Sequence, residues 1–162
     1  MRLIKQIESV LGTIETAGIW FFLTLMIVFS FGQAILRNFF HFGILWADIF
    51  LRQLVLWVGF LGAALAVREG KHISIDFLPH FLPQSWGRIT QVIVNFSAGL
   101  ISAFLAWAAF RFVGFEMEGG SVLFLGLPGW LFQTILPYSF CVMTLRFLLK
   151  ALDAVTSPAK PG

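Results

Sequence analysis

The stretch LWVGFLGAALAVREGKHISID, from Leu56 to Asp76, decides the fold class of this chain. Residues 56–67 are all apolar or small, and a cluster of charge follows at once with Arg68, Glu69 and Lys71. Over the whole chain of 162 residues, 59% are hydrophobic and 12% are charged. A soluble domain carries about 25% charged residues because its surface faces water. The composition therefore predicts an integral membrane protein.

Long gaps between ionisable side chains locate the membrane spans, since a helix needs about 20 residues to cross the hydrocarbon core. Four such gaps occur: residues 16–36, 53–67, 89–110 and 119–145. The second gap is too short alone and suffices only if its helix begins near Trp46. That start places Asp48 and Arg52 in the first two turns, four residues apart on one face, where the spacing predicts an ion pair.

The predicted fold class is an all-α integral membrane protein with four transmembrane helices and an amphipathic N-terminal lead-in. Pro128 suits the first turn of the last helix, Gly126 suits a turn before it, and Pro137 is expected to kink its middle. The predicted segments are a lead-in at 1–15, helices at 16–38, 46–68, 86–110 and 127–149, loops at 39–45, 69–85 and 111–126, and a tail at 150–162.

The basic residues predict how the chain is oriented. Eight of the 11 Lys and Arg residues lie in the N-terminal segment, the central loop and the C-terminal end, which share one side of a four-span protein. The positive-inside rule then places both termini in the cytoplasm. Because the basic residues are scattered between apolar spans, the net charge of +3 indicates orientation and does not indicate binding to nucleic acid.

The second span carries a surface suited to close packing. Gly59, Gly62, Ala63 and Ala66 share one helix face, and small residues allow helix backbones to approach closely in lipid. This face either packs the four helices together or receives a partner. Trp57 lies deep in the same span, where it marks a protein contact or faces lipid.

The charged cluster after the second span has two readings of equal weight. Its members are Arg68, Lys71, His72 and Asp76. Basic residues next to a membrane bind anionic headgroups, and the same residues are able to meet charges on a partner subunit.

No catalytic site, metal or cofactor is predicted. No Asp, Glu, Lys or His lies near the middle of a predicted span, and the single cysteine, Cys141, excludes an internal disulfide. His72, Asp76 and His80 recur at every fourth residue, but Pro79 argues against one continuous helix that would present them together. We therefore predict that the chain is not an enzyme.

The segment WADIFLRQLVLWVGFLGAALAVREGKHISID resembles the signature of the small membrane subunit of tripartite ATP-independent periplasmic (TRAP) transporters, the DctQ-like family. Ile49 departs from the pattern, which often has a second acidic residue there, and a later Pro-Gly-Trp and Ile-Leu-Pro extend the likeness through residues 128–137. The matching positions are Trp46, Asp48, Arg52, Trp57, Phe60 to Ala64, Arg68, Gly70, His72, Ile73 and Asp76.

The resemblance implies a multi-pass protein of the bacterial inner membrane with a scaffolding role. It implies a large membrane subunit as partner, which carries the cation sites and takes up a small organic acid by symport. It also implies a periplasmic substrate-binding protein, but it does not specify whether that protein contacts this chain. Membrane lipid is the remaining implied partner. The alternative that the residues leave open is a self-sufficient homo-oligomeric transporter or pore.

Overall fold

The computed structural model describes residues 2–69 and 84–156, with side chains at 8–69, 89–123 and 125–155. The helices are α1 (Arg2–Phe40), α2 (Leu45–Glu69), α3 (Gln84–Gly119), α4 (Gly129–Gln133) and α5 (Ile135–Thr156). A short antiparallel hairpin of β1 (Val122–Phe124) and β2 (Leu127–Pro128) precedes α4.

Within the described residues, four helical segments are long and apolar enough to cross a membrane, which confirms the predicted all-α, four-span fold class. They cover residues 8–40, 45–69, 89–119 and 129–155. The amphipathic lead-in and the first predicted span belong to one unbroken helix, α1. Helix α3 continues to Gly119, so residues 111–119, predicted as loop, are helical.

The helices pack as an open row in the order α1–α2–α5–α3. The main contacts join α1 to α2, α2 to α5, and α5 to α3. A small core lies where α2 meets α5, around Ala64, Val67, Val142 and Met143. Because a row has two broad faces, most of the large apolar side chains remain exposed, as expected of helices that meet lipid or another subunit.

The fourth span is two helices instead of one kinked helix. The break falls at Thr134, one turn before Pro137. Proline has no backbone N–H, so Pro137 cannot donate the regular helical hydrogen bond to the carbonyl of Gln133. Pro137 thus occupies the first turn of α5, a position that proline tolerates, and the ladder of hydrogen bonds is interrupted before it.

The two connections on one side of the row are tight, and we call this the hairpin side; it contains residues 41–44 and 122–128. Leu125 and Gly126 have φ angles of 50° and 77°, the left-handed pair typical of a two-residue hairpin turn. The backbone N–H of Gly129 donates to the carbonyl of Ser121 over 2.9 Å and ties the hairpin to the start of α4.

Candidate functional site

A buried ion pair joins three helices. The Nη2 atom of Arg146 on α5 lies 2.7 Å from the Oε2 atom of Glu15 on α1, and both side chains are at most 2% exposed. The Nη1 atom of Arg146 donates to the carbonyl of Ala64 on α2 over 2.6 Å. One guanidinium therefore connects α5 to α1 and α2, although α1 and α5 are not neighbours in the row.

A second basic side chain on α5, that of Lys150, binds the C-terminal end of α2. Lys150 donates to the carbonyl of Val67, one turn beyond Ala64 on α2. Cations near the C-terminal end of a helix interact favourably with its dipole and its last carbonyls. Arg146 and Lys150, which the sequence suggested only as topological charges, therefore fix α5 against the end of α2.

The hairpin side is fixed by an amide and by an exposed ion pair. The side chain of Gln33 is buried and makes two bonds with the backbone of Ile44, accepting from its N–H over 3.2 Å and donating to its carbonyl over 3.0 Å. Nearby, Arg37 Nη2 lies 2.6 Å from Asp48 Oδ2. These contacts hold the start of α2 against the end of α1.

The predicted pair of Asp48 with Arg52 does not form. Asp48 bonds instead to Arg37, which the short connection between α1 and α2 brings alongside. Arg52 is exposed and makes no ion pair or hydrogen bond within the described residues. The i, i+4 spacing is permissive for a pair, but here the neighbouring helix supplies the closer partner.

Trp57 makes an internal contact and does not simply face lipid. Its indole N–H donates to the carbonyl of Phe132 over 2.9 Å, in the last turn of α4. Its ring packs edge-on against Phe22 of α1, with 5.2 Å between the ring centroids. Trp57 thereby connects α1, α2 and α4 at the level of the break in the fourth span. Trp46 likewise packs against an α1 ring, that of Phe29 at 6.1 Å.

The small-residue face of α2 divides into two parts. Ala63 packs against the core at the α2–α5 contact. Gly59 and Gly62, in contrast, adjoin open space, because a Cβ atom built at either position meets no other heavy atom within 4 Å. Of the two readings of this face, packing among the four helices applies to Ala63 and is not observed for the two glycines within the described residues.

The remaining predicted site residues have the following positions. Arg68 lies against the backbone of Gly12, where a Cβ atom would come within 1.9 Å of its Nη1 atom. Lys71, His72 and Asp76 lie outside the described residues, as does the spacing of His72, Asp76 and His80 that was considered for a metal. The described residues hold no group of three His, Cys, Asp or Glu side chains placed to bind a metal ion.

The sequence did not single out the Glu15–Arg146 pair, in which both side chains are buried. The positions of the two residues in the sequence could have indicated the pair. Glu15 precedes the first long gap between charges, and Arg146 follows the last one. Both residues therefore border a span on the same predicted side of the membrane, where a four-span chain can bring them together.

These features define a class of protein before any comparison. Four apolar helices, held by buried polar contacts between helices, make a multi-pass membrane protein. Arg146 and Trp57 each donate to a backbone carbonyl of another helix, which is how hydrogen-bonding groups join helices in lipid, whereas the buried Oγ atom of Ser139 has no hydrogen-bond partner within the described residues.

Comparison with known sequences identifies the family. Residues 10–157 match the model of the family described as "Tripartite ATP-independent periplasmic transporters, DctQ component". The chain therefore belongs to the DctQ component family of these TRAP transporters, and it is a multi-pass protein of the bacterial inner membrane. This confirms the resemblance seen in the sequence.

Three relatives illustrate the range of the family. The sialic acid TRAP transporter permease protein SiaT of Haemophilus influenzae is 31% identical over 95 residues, which cover 59% of this chain and 14% of that protein. The ectoine TRAP transporter small permease protein TeaB of Halomonas elongata is 25% identical over 107 residues, 65% of this chain and 55% of that protein.

The third relative, the isethionate TRAP transporter permease protein DctMQ of Oleidesulfovibrio alaskensis, is 23% identical over 104 residues, 64% of this chain and 16% of that protein. The chain thus spans 14% of SiaT and 55% of TeaB, less than two thirds of each. The relatives are transport proteins and not enzymes.

Proposed function

We propose that this chain is the small scaffold subunit of a TRAP-type secondary transporter. In this role it binds a large membrane transport subunit and stabilises it in the bilayer. The large subunit performs cation-coupled uptake of a small organic acid, which a periplasmic binding protein delivers. By the positive-inside argument, the hairpin side faces the periplasm.

The observation that carries the proposal is the length of two relatives. The segment that matches this chain makes up 14% of SiaT and 16% of DctMQ, and both are named as permease proteins. A segment that belongs to one polypeptide in some relatives and stands as a small permease protein in TeaB is expected to bind the remainder of the permease.

The described contacts support a scaffold. Glu15 and Arg146 are ionisable groups that are buried between the helices at the ends of two spans, and they form a pair that bonds to a third helix. A group that carries a transported cation or proton must instead exchange its partner during the cycle. The polar contacts between the helices of this chain therefore suit a rigid body better than a transport pathway.

The substrate class is proposed from the family and not from any side chain of this chain. The names of the relatives give three different solutes, namely sialic acid, ectoine and isethionate. A scaffold that does not contact the solute is compatible with such variety. We propose a small organic acid as the substrate of this transporter.

The test is reconstitution of transport with and without this chain. The chain and its large subunit are purified from native membranes in mild detergent, identified by peptide mass spectrometry and placed in proteoliposomes with a cation gradient. We expect uptake of the solute, in the presence of the binding protein, only when both subunits are present. Flux through vesicles that contain this chain alone would overturn the proposal in favour of a homo-oligomeric transporter.

A further inference from the structure

One face of α2 is exposed along most of the helix, and we call it the glycine face. Positions 52, 55, 59, 62 and 66 follow each other at alternating steps of three and four residues, so they share one side of the helix. Arg52, Val55 and Gly59 are exposed on this face, and Gly62 and Ala66 are half-buried. Together they form a shallow, smooth surface with a single charge at one end.

The glycine face leaves room that no side chain of the described residues fills. A Cβ atom at Gly59 or Gly62 would meet no other heavy atom within 4 Å. Between helices in lipid, association depends on van der Waals contact and interhelical hydrogen bonds, and small residues allow a second backbone to come close. A neighbouring helix gains more contact on this surface than it would gain on a face covered by Phe or Leu.

Arg52 supplies an independent indication of what covers the face. It lies seven residues into α2, about 10 Å along the helix axis from Leu45. Its charge is exposed and has no partner within the described residues. An arginine inside a span is unfavourable unless its side chain reaches the headgroups or pairs with a carboxylate on a neighbouring helix.

From these observations we infer that the glycine face is the docking site for one transmembrane helix of the large transport subunit, which places a carboxylate opposite Arg52. This inference rests on the proposed function, which supplies a large subunit for the helix to belong to. The length of SiaT and DctMQ outside the matching segment is consistent with such a helix, since that segment makes up 14% and 16% of those proteins.

A second copy of this chain fits the glycine face poorly. Two copies with the same orientation in the membrane are related by an axis along the membrane normal, so each residue near the axis faces its own counterpart. Arg52 would then lie opposite Arg52, and like charges in a low-dielectric medium repel. Asp48, one turn away, is already bonded to Arg37 and does not neutralise the pair.

The test uses substitutions that the isolated chain tolerates. Gly59→Leu and Gly62→Leu place a large side chain into open space, and leucine favours both the helix and the membrane. Gly114→Leu on α3 is the matched control, because Gly114 is half-buried like Gly62 and also adjoins open space. Arg52→Glu reverses the charge, and Arg111→Glu reverses an exposed charge on α3.

The readout is the amount of large subunit that co-purifies with each tagged variant from membranes, identified by peptide mass spectrometry. The melting temperature of each variant alone in detergent serves as the check on folding. We expect Gly59→Leu, Gly62→Leu and Arg52→Glu to reduce the co-purified large subunit about tenfold, which corresponds to 1.4 kcal/mol. Gly114→Leu and Arg111→Glu should retain it. The two glycine-face leucine variants, Arg52→Glu and Gly114→Leu should melt like the original chain, whereas Arg111→Glu also loses the contacts of Arg111 with two rings of its own helix.

A photo-reactive benzoylphenylalanine at position 55 adds a direct measurement of the neighbour. A crosslink to the large subunit supports the inference, whereas a crosslink to a second copy, or to lipid alone, overturns it. Equal loss in the glycine-face variants and in the control variants also overturns it. If Arg52→Glu alone releases the large subunit while both leucine variants retain it, helix docking on the glycines is wrong.

Failure of the proposed function gives a different result. If the original chain co-purifies with no large subunit at all, the partner itself is missing and the scaffold role is overturned. If the original chain binds the large subunit and every variant still binds it, the scaffold role stands and only the position of the interface is wrong.

Discussion

Arg146 and Glu15 form a buried ion pair with 2.7 Å between Nη2 and Oε2, although 131 positions separate them in the chain. The same guanidinium bonds to the carbonyl of Ala64. Because the row of helices places α2 between α1 and α5, this contact reaches across the row. It connects the first and last spans directly, whereas the main contacts between helices join these two spans through α2.

We expect Arg146→Met to be strongly destabilising. The substitution leaves the carboxylate of Glu15 buried without its cation, and breaking a buried pair in this way costs about 3–5 kcal/mol. Thermal unfolding of the purified chain in detergent, followed by circular dichroism, measures the loss. Arg111→Met is the control, because Arg111 is exposed and lies over the rings of Trp107 and Phe115.

A double variant of Glu15 and Arg146 distinguishes the cost of an unpaired buried charge from the cost of lost packing. Glu15→Gln combined with Arg146→Met removes both charges, so we expect it to recover part of the stability that Arg146→Met loses. A double variant less stable than Arg146→Met, or equal melting of Arg146→Met and Arg111→Met, would show that the pair does not hold α1 and α5 together.

We expect both the N–H group and the ring of the Trp57 indole to contribute to the stability of the folded chain. Trp57→Phe keeps an aromatic ring beside Phe22 but removes the donor to the Phe132 carbonyl. We expect a loss of about 1 kcal/mol, the net value of one hydrogen bond, and faster amide hydrogen exchange around residues 132–138. Mass spectrometry after exchange in detergent gives the local rates.

Trp107→Phe is the matched control for Trp57, since Trp107 is exposed and packs beside Phe104 on the same helix. It should leave exchange at residues 132–138 unchanged. Identical exchange in the two variants would mean that the indole bond does not stabilise the break at Thr134.

We expect the Gln33 side chain to hold residues 41–44, which connect α1 to α2, in their observed conformation. Gln33→Leu removes both bonds to the backbone of Ile44 and leaves the N–H and the carbonyl of that residue without these partners. Each buried polar group left unsatisfied costs about 1–3 kcal/mol. We expect a lower melting temperature and faster proteolysis at residues 41–44.

The control for Gln33 is Asn95→Leu. The Asn95 side chain donates to the carbonyl of Gln91 in its own helix, so its loss breaks no contact between elements. Proteolysis at residues 41–44 that is as slow in Gln33→Leu as in Asn95→Leu would contradict a role for the amide in holding the connection.

The number and nature of the spans could be predicted from sequence because they depend on local quantities. A run of apolar residues of sufficient length marks a span whatever it packs against. The turn expected at Gly126 is present as a left-handed hairpin turn, but Pro128, which was expected in the first turn of the last helix, lies in β2 and precedes α4. The motif around Trp46 and Arg52 was enough to identify the family.

The partners of individual side chains could not be predicted in the same way. The pairing of Glu15 with Arg146 depends on which helices are neighbours in the row, and hydrophobic periodicity does not encode that order. The pairing of Asp48 with Arg37 instead of Arg52 depends on the path of residues 41–44 between α1 and α2. The i, i+4 rule considers residues of one helix only, so the prediction that Asp48 pairs with Arg52 was wrong.

Substitution of two glycines on the hairpin side by alanine should change the stability in opposite directions. Gly126 has a φ angle of +77°, where a side chain is strained, so we expect Gly126→Ala to cost about 1 kcal/mol. Gly119 ends α3 with open space around it, so Gly119→Ala should be neutral or stabilising by about 0.5 kcal/mol. Paired melting curves of the two variants in one detergent measure the difference. If both substitutions shift the melting temperature in the same direction by the same amount, the left-handed turn at Leu125 and Gly126 does not contribute to the stability of the hairpin side.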